Sequence, residues 1–223
     1  MLFLALPLIL AIVTFFLGFG LGNAGLLFLS AGQLLFVPIA VMGLHIATNI
    51  LEPFLRNSLS SMGMLTRTYN TWFAINLPYN DIGLLVPSTT LTDTINVWPS
   101  YWMAHFTFFS AYILSNASAV YNLEPLSDEA EFDVKVENRK ARATNIIIFT
   151  IMIFLILSGI RLRFTNSESI FGALFATVAF GILGYGWFIA SNSLGIRTMD
   201  IFGIVQQMVK TMDPSKPTVC VSN

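Results

Sequence analysis

Two side chains in this 223-residue chain combine a titratable nitrogen with apolar surroundings: His45 and His105, its only histidines. Each falls in a long uncharged run, His45 near the end of one predicted helix and His105 near the start of the next. Those helices run in opposite directions, so both imidazoles lie toward one membrane face at similar depth. A pair placed this way has the chemistry of axial haem b ligands or of a shared metal site. It can equally satisfy itself with hydrogen bonds to backbone, to water or within the pair. No second histidine pair, carboxylate cluster or Cys-x-x-Cys-His motif accompanies it, so the preferred expectation is no cofactor, with haem b as the alternative.

Other candidates for chemistry are weaker. Gly20-Leu21-Gly22-Asn23-Ala24-Gly25 matches G-x-G-x-x-G, but a dinucleotide site needs a preceding strand, and this run lies between two apolar helices. It predicts a tight turn. Cys220 is the lone cysteine, which excludes a disulfide framework and a thiolate metal cluster. Charge is absent from the middle of every predicted membrane helix, where a transport pathway or proton relay would place it. Gln33 is the one clearly interior amide, and interhelical hydrogen bonding accounts for it. The expectation is a protein that is not an enzyme, with a small transporter or channel as a further alternative.

The elements that would position these residues follow from charge and length. The first formal charge is Glu52. A single helix over the preceding residues would measure about 76 Å, more than twice a ~30 Å hydrocarbon core, so the chain must turn back at its glycines. Hydrophobic residues make up 55% of the chain and charged residues 10%, against roughly 25% charged in soluble domains. Further uncharged windows place helices near 2–19, 26–48, 99–120, 144–161 and 170–191. The predicted fold is therefore an all-α polytopic membrane protein with about five transmembrane helices. It divides into a hairpin (1–48), an extramembrane or interfacial segment (49–98), a three-helix region (99–192) with a charged loop at 121–143, and a C-terminal tail (193–223).

Within 49–98, Leu51, Phe54, Leu55, Leu59, Met62 and Leu65 recur at three- and four-residue spacings, the pattern of an amphipathic helix on a membrane surface or on a partner. The remainder is apolar and interrupted by Pro78 and Pro87, fit for packing against its own helices or a partner. In the charged block acids precede bases, from Glu124 and Asp128 to Lys140 and Arg142, which matches a helix dipole entering the fourth span. Ser127 is a candidate N-cap. Ala173, Thr177 and Gly181 continue a four-residue stripe from Ser169, a close-packing face whose partner the sequence does not name. Trp98, Tyr101 and Trp102 flank Pro99 in an aromatic string suited to the headgroup level. These six aromatic and small residues are the candidate interface positions. Lysine and arginine favour the loop side that carries residues 121–143 and the tail, giving an N-terminus outside and a C-terminus in the cytoplasm. Net charge is −1, which offers no footprint for nucleic acid. The expected partners are the bilayer and other membrane proteins in a larger assembly.

The combination of Trp98-Pro99-Ser100-Tyr101-Trp102-Met103-Ala104-His105, then Ser115-Asn116-Ala117, then Asn138-Arg139-Lys140 resembles membrane proteins of large icosahedral double-stranded DNA viruses. In those virions an inner membrane lies beneath the capsid, and small multi-pass proteins join it to minor capsid proteins. The resemblance spans about 45 residues and contains no catalytic motif. It implies a structural role, with residues 49–98 or the charged block contacting capsid proteins. It assigns no function to an individual residue.

Overall fold

A computed structural model describes residues 2–44, 47, 101–123, 130–164, 170–195 and 201–203. Among these residues the protein is all-helical. Helix α1 spans Leu2–Gly20. A turn through Gly22, whose φ of 63° only glycine adopts without strain, leads to α2 at Ala24–Leu44. Asn23 caps α2 by accepting the Leu26 N–H at 3.1 Å. Then come α3 (Tyr101–Asn122), α4 (Ala130–Phe164) and α5 (Ile170–Ser193). The predicted interfacial helix, the rest of 49–98, His45, Trp98, Ser127 and most of the tail lie outside the described residues.

Unlike a water-soluble bundle, the described part of the protein is apolar on the outside as well as in its core. Large apolar side chains such as Phe16, Phe19, Leu35, Ile39, Leu155, Ile156, Val178 and Ile182 are exposed, while Gln33, His105, Thr107, Asn116, Arg161 and Ser191 are buried. That distribution suits hydrocarbon as the surrounding solvent. Three helices are long and apolar enough to cross a membrane: Ala24–Leu44, Val136–Arg163 and Gly172–Ser193. The expectation of about five spans meets two departures. The apolar part of α1, Leu6–Gly20, is shorter than those three. Helix α3 is long but more polar, and its surroundings explain why. Among its large hydrophobic side chains only Tyr121, near its end, is exposed, because the other helices surround it.

Side-chain contacts give the directions. Trp102 meets Arg161 and Phe106 stacks on Phe154, so α3 and α4 are antiparallel. Phe108 meets Phe36, and Tyr112 reaches Gly25, so α2 and α3 are antiparallel too. Helix α5 runs parallel to α3, with Gly181 beside Thr107, Gly184 beside Phe108 and Ser191 beside Tyr112. Gly181 of the small-residue stripe therefore lies on α3 within the same chain, as part of the α3–α5 contact. At its tightest point a Cβ on Gly184 would sit 2.6 Å from the Phe108 carbonyl oxygen and 3.0 Å from the Ala111 Cβ.

Helix α4 differs most from the expected boundaries. The predicted span at 144–161 is the inner part of one 35-residue helix, about 52 Å long at 1.5 Å per residue. The charged block from residue 130 onward is its direct continuation, since no proline interrupts the sequence.

Gly184→Ala should lower stability by about 1–3 kcal/mol, because backbone rather than a flexible side-chain end opposes the added methyl. Gly186→Ala, at a position with open space within 4 Å, should be neutral or slightly stabilising. Thermal unfolding of the two variants in the same detergent checks the contrast.

Candidate functional site

The buried chemistry gathers around α3 in three places. The first is an aromatic stack in mid-bundle. Trp187 of α5 lies between two α2 rings, 4.8 Å from Phe28 and 4.9 Å from Phe36, both near parallel. In a regular helix residues eight apart point about 80° away from each other and could not flank one indole. Residues Gly32–Phe36 form a π turn, closed by the Val37 N–H on the Gly32 carbonyl. The extra residue of that turn brings Phe36 to within about 20° of Phe28, as though seven residues separated them. Pro38 follows directly, and its missing N–H and bulky ring disfavour a regular turn at that point. Gly32 supplies the space, since a Cβ there would lie 2.6 Å from Trp187 Nε1 and 2.8 Å from the Phe108 ring. The indole N–H donates to the Phe28 carbonyl at 2.9 Å, fixing the ring.

The second place is the end of the bundle where α3 begins. Tyr101, Trp102 and His105 are buried there, although the aromatic string suggested side chains at the headgroup level. Arg161 is also fully buried, its guanidinium 5.4 Å from the centre of the Trp102 ring, a cation–π contact strengthened by exclusion of water. The His105 ring centre lies 4.0 Å from that of Tyr101, and among the described residues neither imidazole nitrogen has a hydrogen-bond partner. His105 is buried near the start of α3, and its proposed partner His45 lies outside the described residues. Among the described residues no group of three metal-ligating side chains forms.

Gln33 also sits inside the bundle. Its Oε1 is 3.4 Å from the Thr14 hydroxyl, and its Nε2 has no partner. Thr14 is satisfied by its own helix, donating to the Leu10 carbonyl at 2.8 Å. Thr177 does likewise with the Ala173 carbonyl at 2.7 Å. Ala173 is buried and Gly181 partly so. At the opposite end of the bundle the Tyr112 hydroxyl bonds Ser191 Oγ at 2.9 Å and the Gly25 carbonyl at 3.3 Å. Asn23 donates to the Ile201 carbonyl at 3.1 Å, holding the chain beyond α5 against the first turn.

The third place is a cleft of about 510 Å³ between α3 and α4. Phe106, Phe109 and Ile113 form one wall, Ile146, Phe149 and Ile153 the other, and Phe202 contributes from beyond α5. Its polar lining is Ser110, Asn145 and Thr150. Sequence reading missed this cleft and the role of Trp187. The run Gly32 to Pro38 was the available signal for the π turn, and Asn145 was the signal for the cleft, an amide on an otherwise apolar stretch of α4.

No protein-family model, curated protein or solved structure matches the chain.

Trp187→Phe should keep the stack but lose the indole N–H bond to the Phe28 carbonyl, which retains the Gly32 N–H, at a cost of about 0.5–1.5 kcal/mol. Gln33→Leu should be neutral or stabilising, because it removes a buried unpartnered N–H and leaves Thr14 its own acceptor. Unfolding midpoints of the two variants test both. A loss above about 1 kcal/mol for Gln33→Leu would mean that the amide has a bound partner.

Proposed function

We propose that this protein is a non-enzymatic integral membrane scaffold, crossing the bilayer five times and assembling with other proteins. The observation that carries the reading is the form of α4. Only 11% of its apolar window is buried within the protein, and its length exceeds a ~30 Å hydrocarbon core by about 15 residues. The excess is the charged end, which bears Glu137, Arg139, Lys140 and Arg142. An apolar rod held along one side by α3, with a charged helical extension beyond the membrane, offers surfaces both for neighbouring membrane helices and for a soluble lattice. Five alternating helices also give α1 and α3 the role of spans, α3 being polar because it is enclosed.

The resemblance to inner-membrane proteins of icosahedral double-stranded DNA viruses extends the reading to a link between that membrane and the capsid. On this reading the N-terminus lies outside and the C-terminus in the cytoplasm or its virion equivalent, an orientation supported by the lysines and arginines of the loops. One observation favours a second reading, an anchor for haem b at His45 and His105: both nitrogens of buried His105 are unpartnered.

Two measurements test these readings. Labelling with a membrane-impermeant maleimide should reach native Cys220, and Glu137→Cys in a Cys220→Ser background, from the same side of the membrane. Labelling from opposite sides overturns the five-span topology. Cross-linking from Glu137→Cys in native membranes should yield a discrete species above the 24.7 kDa chain. A chain that remains monomeric counts against the scaffold, and a Soret band lost in His105→Ala would put the haem anchor in its place.

A further inference from the structure

The cleft between α3 and α4 is built for an amphiphile. Its walls are aromatic and aliphatic, and its volume lies within the roughly 300–1,000 Å³ of small-molecule sites. Of its polar lining residues, Asn145 is the one nearest the charged end of α4, while Ser110 and Thr150 lie deeper. Asn145, Ile146, Phe149 and Ile153 line the cleft, and Arg142 precedes them on the same face, three residues before Asn145 and four before Ile146. Arg142 and Asn145 are both exposed. From Arg142 to Ile153 the helix rises about 16 Å, close to the ~15 Å depth of one leaflet's hydrocarbon.

We propose that this cleft holds an acyl chain of an anionic phospholipid whose phosphate sits at Arg142 and Asn145. The guanidinium matches a phosphate in charge and fork geometry. The Asn145 amide adds a donor at the depth where a phospholipid changes from headgroup to hydrocarbon, which accounts for a polar side chain on a lipid-facing stretch. A partner's membrane helix, apolar throughout, would leave that amide against hydrocarbon. The wall at Phe202 is held in place because Ile201, its neighbour, accepts the Asn23 bond, so the cleft is part of the folded bundle. The inference rests on α4 crossing the bilayer and is independent of the scaffold role.

The test uses the full chain purified in mild detergent and native mass spectrometry, with dioleoyl phosphatidylglycerol and dioleoyl phosphatidylcholine added in equal amounts. The folded protein should retain phosphatidylglycerol with a preference of about five-fold, the factor expected for one basic residue near an anionic headgroup. Arg142→Ala should bring the ratio to about one, whereas Arg163→Ala, at the other end of α4, should leave it unchanged. Ile146→Trp should fill the cleft and reduce retention of both lipids. Thr150→Phe serves the same purpose if Ile146→Trp alters the helical circular dichroism. Equal retention of the two lipids by the unmodified chain overturns the proposal, as does a preference that survives Arg142→Ala. So does a polypeptide cross-linked at Phe149 in place of lipid.

Discussion

The structure depends on one constraint: α3 has almost no surface of its own. Phe106, Phe108, Tyr112 and Trp102 are buried on its successive faces, and between them they contact three neighbouring helices. Trp102 and Phe106 meet α4, Tyr112 reaches α5 and the start of α2, and Phe108 lies against α2 and α5. In lipid the hydrophobic effect does not drive helices together, so close packing and interhelical hydrogen bonds must. Glycine brings the backbones together, with Gly184 against Phe108 and Gly18 against the Leu27 N–H. Aromatic rings fill what remains. The outer helices then take on the task of facing hydrocarbon.

This arrangement explains which parts of the fold were legible in the sequence. Where apolarity is required by lipid, it is conspicuous, and the hairpin of α1 and α2, its glycine turn and the apolar stretch of α5 could be read directly. The stripe at Ala173, Thr177 and Gly181 announced a close contact but not its partner, because small residues specify a distance and nothing about what approaches. The start of α3 was read by composition as a headgroup-level anchor. The same residues also suit a buried aromatic core, and only the presence of Arg161 opposite Trp102 distinguishes the two. That pairing joins residues far apart in the chain, beyond the reach of local pattern. Helix α4 was underestimated for another reason. A change from charged to apolar composition marks a change of solvent, not an end of helix.

The buried polar groups divide into those that complete the packing and those that do not. Tyr112, Trp187 and Asn23 each tie two elements through a defined acceptor, and Thr14 and Thr177 are satisfied within their own helices. Gln33 Nε2, both nitrogens of His105, Thr107 Oγ1 and Ser158 Oγ are not. They are distributed over different interfaces: Gln33 faces α1 at Thr14, whereas Thr107 lies beside Gly181 of α5.

An unbroken α4 also has a mechanical consequence. With no proline between Ala130 and Phe164, it is a rod that bends only gently, and its grip on the bundle is along α3. That grip extends over most of its length: Arg139 donates to the Leu123 carbonyl, Phe154 stacks on Phe106, and Arg161 lies over the Trp102 ring. Rod and core helix therefore form one stiff pair, and a load on the charged end is shared with α3 instead of bending α4 alone.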